Sequence, residues 1–434
     1  MSRILQNKSE PMIIDLKQKI QNENLMLFFL ASIVFFIPLS PTFKSISIVF
    51  ATGLVFFIPG YRQRLYFMLS QQCSIAAITL ICVALLACLW SVASYKLQYT
   101  MVEKYFKLIY IPLFAVCFAN KKNRTFGIHA FLFSSLIVCL LSILKDWNFL
   151  YFKEPDPGAV FHNHIVTGYM IAFAAYLAGL YAIRSQKLKR MAYLGMALLF
   201  NYQVIFVNTS RTGYVVYFIL MALLFLNCLS SRRLLVGLFM YAALLGTMIV
   251  TIPSPLSKGL THAVENVYSY NNNHNKNTSV GYRLQFHQYA KSLFLSSPLI
   301  GYGTGGFPTQ FRADNPLPAW GLKLNDPHSQ YWFIASEFGL LGIIALGYFY
   351  ISLLLISFRL VEMKAILLAF LIPFFIANMT DCFLTNTGIG YLFVMFSALC
   401  LGEFIEMNEA RSTFVRDPHS QNVATRSINQ AIAL

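Results

Sequence analysis

The sequence predicts an all-α polytopic membrane protein of about 12 transmembrane helices. Three observations carry that prediction. Hydrophobic residues make up 57% of the 434-residue chain and charged residues only 12%, too little polar surface to coat a soluble globule of that size. Apolar runs of about 15 to 20 residues recur along the chain, the length a helix needs to cross a bilayer. Polar groups collect instead in one long interlude, 253–329. A transmembrane β-barrel would show short alternating segments, which are absent.

Taken in order, a mixed-charge segment, 1–24, leads into the first apolar run. It shows no short basic region followed by a cleavable apolar stretch, so the first span is expected to stay as an anchor. Within 25–252 the expected spans are 25–39, 43–59, 74–92, 105–119, 126–144, 165–183, 191–207, 213–229 and 234–252. After the long polar loop, 253–329, come 330–356, 363–378 and 387–405. A polar tail, 406–434, carries no heptads and is expected to be mobile.

Charge placement orients these spans. With the N-terminus inside, 20 of the 33 Lys and Arg residues fall on the cytoplasmic side, and six of the rest belong to the long loop, which counts little in this rule. Over short segments the comparison is 20 against seven. Both termini are therefore expected in the cytoplasm and the long loop outside it. The net charge of +16 then reads as a topology signal and not as a nucleic-acid surface. The eight cysteines, Cys73, Cys82, Cys88, Cys117, Cys139, Cys228, Cys382 and Cys400, show neither metal spacing nor a disulfide framework, and read as small packing residues.

Six of the eight histidines fall on the outer side, as do Arg211 and Asp381. Arg211 stands in Asn208-Thr209-Ser210-Arg211-Thr212-Gly213, pinched between two spans. It reads either as an anchor to lipid headgroups or as a phosphate clamp, since guanidinium offers a planar fork of donors. Arg283 lies in a stretch where Phe286, Tyr289, Ala290, Leu293 and Phe294 recur at helical spacing. That amphipathic helix turns Arg283 into the apolar arc, with Tyr282 beside it and His287 and Lys291 flanking it at i+4 and i+8. An inward arginine needs a partner: a carboxylate such as Glu337 or Asp381, or an anionic ligand. His328, in Asn325-Asp326-Pro327-His328-Ser329, stands just before the next span and reads as a helix cap or a general base. Asp381, Glu265, Asp314 and Asp326 are carboxylates available to orient it. His162 and His164 suit hydrogen bonding to a polar substrate better than metal binding, because no carboxylate or Cys cluster accompanies them in sequence. The glycine-rich Gly301-Tyr302-Gly303-Thr304-Gly305-Gly306-Phe307 lacks the Lys-Ser/Thr ending of a nucleotide loop and reads as a tight turn.

These residues carry a resemblance. The order is an arginine at an outer span junction, a Gly281-Tyr282-Arg283 helix in a long outer loop, Ser297-Pro298-Leu299-Ile300-Gly301-Tyr302-Gly303, then His328 and Gly339-Leu340-Leu341-Gly342. It resembles the O-antigen ligase superfamily, over roughly Val204 to Leu401. Ser329 stands where the family often has Asn.

The resemblance implies an inverting, metal-independent glycosyltransferase of the GT-C type, without a cofactor, in the bacterial inner membrane. Its site would face the periplasm. The implied donor is a glycan on undecaprenyl diphosphate, and the acceptor a sugar hydroxyl of lipid A–core. Arg211 and Arg283 would hold the diphosphate, and His328 would serve near the acceptor. His162, His164, Tyr282, His287, Lys291 and Asp381 are the candidate substrate-binding residues. The alternatives are an O-antigen polymerase with the same donor, a protein O-oligosaccharyltransferase, or a polar-lipid transporter. Internal repeats of the kind expected of a transporter are not evident.

Overall fold

The computed structural model describes residues 21–228, 254–272, 276–320 and 323–416, with isolated positions between 229 and 253. Among the described residues the chain is helical throughout and has no strand. The helices are α1 (Gln21–Phe36), α2 (Pro41–Phe57), α3 (Pro59–Leu69), α4 (Gln72–Leu86), α5 (Tyr95–Phe106), α6 (Tyr110–Ala115), α7 (Lys121–Asp146), α8 (His164–Arg184), α9 (Lys187–Tyr202) and α10 (Arg211–Cys228). They continue with α11 (Pro255–Asn271), α12 (Ser279–Ser296), α13 (Gly306–Asp314), α14 (Gln330–Ser357), α15 (Lys364–Ala377) and α16 (Ile389–Arg416). Many begin where a short polar side chain accepts an otherwise unpaired first-turn N–H. Asn120 does this for α7, Asn163 for α8 and Thr278 for α12. Ser254 and Ser257 form a reciprocal cap on α11, with Pro255 in its first turn.

Among the described residues six helices are long and apolar enough to cross a membrane: Gln72–Leu89, Lys121–Asp146, His164–Arg184, Lys187–Val207, Gln330–Ser357 and Ile389–Ser412. A seventh results if Pro41–Phe57 and Gly60–Leu69, bent by 100°, make one span. Gln21–Phe36, Arg211–Asn227 and Lys364–Ala377 are apolar but shorter. Length and composition thus support a membrane protein, with six such helices among the described residues where 12 spans are expected over the whole chain. The expected span at 105–119 is not one helix: α5 ends at Phe106, a 3₁₀ turn covers Lys107–Ile109, and α6 starts at Tyr110. The expected span at 234–252 and most of the segment 1–24 lie outside the described residues, as does 417–434. Within the tail, α16 continues to Arg416.

Helix α8 is the axis of the bundle. Its residues Val166–Ala178 are buried on every side, as an apolar helix without a polar face must be. It packs on α9 and α10, while α16 packs on α6 and α7. The large apolar side chains left exposed, among them Phe57, Leu89, Leu198, Ile344 and Leu355, lie on the outward faces of these helices and suit a lipid surroundings.

The interlude 253–329 folds as α11, α12 and α13 over a small second core. That core gathers Phe286, Ala290 and Leu293 of α12, Phe307 and Phe311 of α13, Phe333 of α14 and Cys382. Two glycine motifs meet beneath it. Helix α14 kinks at Gly339 (φ 60°, ψ −149°), which frees backbone groups for the returning loop. Leu340 N–H donates to Pro298 O, and Tyr302 and Gly303 N–H donate to Ser336 O and Glu337 O. The backbones approach so closely that a Cβ at Gly301 would lie 2.4 Å from the Glu337 carbonyl carbon, and one at Gly339 2.5 Å from that of Leu299.

Candidate functional site

Arg211 opens α10 at the end of a tightly specified turn. A π-helical turn, Gln203–Val207, ends α9. The side chain of buried Asn208 then accepts from Ser210 N–H, and Ser210 Oγ accepts from Gly213 N–H. Thr209 donates to Asp156 Oδ2 at 2.7 Å, and the same oxygen lies 3.1 Å from His164 Nδ1. The turn that presents Arg211 is therefore braced from the loop before α8. Arg211 itself donates to Ser279 Oγ at 3.3 Å, the first residue of α12. Arg283 follows one turn later on that helix. The two guanidinium groups are close enough to repel each other. Among the described residues no carboxylate pairs with Arg283. Glu337, one of its expected partners, is fully buried on α14 and faces the backbone of Gly305 and Phe307 instead.

His328 lies within electrostatic reach of Arg283. Its backbone is in the left-handed region (φ 52°), a strained conformation for a residue with a Cβ. Asp326 Oδ1 holds it there by accepting His328 N–H at 3.0 Å. The imidazole stacks on Phe286 of α12, with ring centroids 5.9 Å apart, and its Nδ1 lies 3.5 Å from Asp381 Oδ1. Burial pulls the His328 pKa down, but the Asp381 contact and the charges of Asp326 and Asp381 outweigh it and raise it above the ordinary value. Asp381 is held low in turn, since His328 and Arg283 overcome the effect of burial. His287 bonds the carbonyl of His328 at 3.1 Å, and burial lowers its pKa. The Arg211 and Asp381 loops meet through Thr212 and Thr380, whose hydroxyls are 3.4 Å apart. Ligand atoms of Asp326, His328 and Asp381 lie within 4.8 Å of one another, a grouping of a kind that can hold a metal ion and that sequence spacing did not reveal.

Residues 194–347 match the Wzy_C family model, described as O-Antigen ligase. This stretch is similar to the Wzy_C domain. It contains Arg211, Arg283 and His328, and it supports membership in the O-antigen ligase superfamily. No curated protein matches the chain.

Asp381, His162 and His164 fall outside the matched stretch. Of the other expected site residues, the structure brings Asp381 and His287 to His328, and His164 to the turn bearing Arg211. Tyr282 packs instead in the small core, edge-on to Trp320. Lys291 is exposed one turn beyond His287. His162 bonds Ile37 O at 2.9 Å, where burial lowers its pKa, and thus ties α8 to the α1–α2 connection. Sequence reasoning passed over Asp156, Thr209, Ser279 and Thr380. The only signal for Asp156 was its place in the turn Pro155-Asp156-Pro157-Gly158, where Asp ordinarily serves its own backbone. It does so here, accepting Gly158 N–H at 2.8 Å, and also braces Thr209.

Proposed function

We propose that the chain transfers a glycan from undecaprenyl diphosphate to a sugar hydroxyl of lipid A–core, with inversion, on the periplasmic face of the inner membrane. The observation that carries this reading is a pair of arginines, neither salt-bridged among the described residues, of which Arg283 lies within electrostatic reach of the His328–Asp381 pair. Outside the cytoplasm no nucleotide sugar is available, so the bond energy must arrive preloaded on a lipid. Arg211 and Arg283 hold the donor's diphosphate. The acceptor oxygen attacks the anomeric carbon from the opposite side, and the carbon–oxygen bond to the diphosphate breaks. The electron pair leaves on the diphosphate, where the guanidinium groups stabilise the growing charge. His328 takes the hydroxyl proton as the new bond forms, and Asp381 steadies the resulting imidazolium. Phe286 fixes the plane of the imidazole, and the strained backbone at His328 aims it.

The test is expression in a Gram-negative strain that lacks its own ligase but makes lipid-linked O-antigen. Capping of lipid A–core with glycan is the expected result. Longer lipid-linked chains without capping would assign the chain to polymerisation, and neither product from a well-expressed protein would overturn both.

A further inference from the structure

At the other end of α14, some 28 residues and roughly 40 Å of helix from His328, lies a cavity of about 470 Å³. Gln71, Arg359, Phe404, Met407, Asn408 and Arg411 line it. Among the described residues, the acidic side chains of the neighbouring segments are already engaged. Glu409 bonds Arg64 at 2.6 and 2.9 Å, Glu406 pairs with Arg124, and Glu362 with Lys121 at 2.5 Å. Glu403 caps α15 by accepting the N–H groups of Val361, Glu362 and Met363. Among the described residues, Arg359 and Arg411 are left with no side-chain hydrogen bond or ion pair. They come from separate elements, the α14–α15 connection and α16, yet border one cavity.

We infer that this cavity binds the phosphate headgroup of an anionic membrane phospholipid. Two guanidinium groups without acceptors, with the amide of Asn408, match phosphate oxygens, while the Gln71 amide already donates to Phe67 O and Ser70 Oγ. The remaining wall, Phe404 and Met407, is apolar and suits the glycerol and first acyl carbons. The residues beside Arg359, Phe358 and Val361, are large, apolar and exposed, which places the opening at the lipid boundary and not in bulk water. By the charge rule this is the cytoplasmic side, where anionic headgroups meet basic pockets between helices. The inference does not depend on the transfer reaction.

Native mass spectrometry of the full chain in detergent, with phosphatidylglycerol or phosphatidylcholine added, tests it. The parent protein should retain phosphatidylglycerol preferentially. The double variant Arg359→Gln, Arg411→Gln should lose that retention by roughly tenfold or more, the effect of removing anchoring arginines from a binding site. Thermal stabilisation of the parent by phosphatidylglycerol over phosphatidylcholine gives a second readout that needs no variant. Equal binding of both lipids by the parent, or undiminished retention by the variant, would overturn the site. Release of the lipid by millimolar inorganic phosphate would assign the cavity to a soluble phosphate and overturn the lipid reading.

Discussion

Arg124 and Arg283 are both drawn out of water, and they are treated in opposite ways. Arg124, on α7, is almost wholly buried, and both of its terminal nitrogens are engaged. It donates to the carbonyls of Phe118 and Ala119 at 2.8 Å each and pairs with Glu406. Arg283, on α12, is half-buried, has no carboxylate partner among the described residues, and stands near a second arginine that repels it. A guanidinium engaged by carbonyls and a carboxylate holds structure together. Two that feel each other's charge, with no carboxylate paired to either among the described residues, form a place for an anion, since burial without compensation is costly.

Replacing these residues separates the two roles. Arg283→Ala and Arg211→Ala should each reduce glycan transfer by about 100-fold or more, the order of 3 kcal/mol lost with one preorganised donor. Both variants should insert and unfold in detergent like the parent. Arg124→Ala should behave in reverse. It strands two carbonyls at about 1–3 kcal/mol each and so lowers the melting temperature, while folded protein keeps its specific activity. Transfer assays paired with thermal unfolding check this. Unchanged transfer by Arg283→Ala would remove the distinction.

The contrast was half legible in the sequence. Helical phase places Arg283 between Ala290 and Phe294 in the apolar arc of Phe286, Tyr289, Ala290, Leu293 and Phe294; Phe286, Ala290 and Leu293 are buried, and Tyr289 and Phe294 half-buried. Local periodicity suffices for that, because it involves only one helix. The partner of His328 stayed open among four carboxylates, because pairing depends on how α12, α14 and the α15–α16 connection meet. Residue spacing carries no such information. The expected single span at 105–119 failed for a related reason. An apolar run at 105–119 looks continuous by composition, yet Lys107 breaks off to donate to Asn386 O at 2.8 Å, and the helix gives way to a 3₁₀ turn there. Tertiary demand overrode local pattern. The pairing of Ser297–Gly303 with the Gly339 kink was likewise present as two motifs but not as one contact.

The His–Asp pair allows a finer test of the outer site. As the base, His328 must be neutral to accept a proton, so transfer should rise with pH through its raised pKa. Asp381→Asn removes the contact and the charge that raise it. The acidic limb of the profile should therefore move to lower pH, and the plateau should fall roughly tenfold as the ring loses its orienting partner. His328→Ala should abolish transfer at every pH. Near-normal transfer by that variant, or an unmoved acidic limb in Asp381→Asn, would strip His328 of the role.

The smallest expected effect is also the one that discriminates most between two chemistries. Asp326, His328 and Asp381 are close enough to ligate a metal ion, and a bound cation would take over the charge stabilisation assigned here to the arginines. Each carboxylate already has work, however. Asp326 holds the strained His328 backbone through its N–H, and Asp381 receives the imidazole and caps Cys382 N–H at 2.8 Å. On that account a chelator should leave the transfer rate unchanged, and Asp326→Asn, which keeps the acceptor oxygen, should cost only a few-fold. A metal site would respond differently, since loss of a charged ligand weakens the ion and proton and metal compete for the same imidazole. Strict dependence of transfer on added Mg²⁺ or Mn²⁺, with Asp326→Asn as damaging as His328→Ala, would move the catalytic charge from Arg211 and Arg283 to that cation.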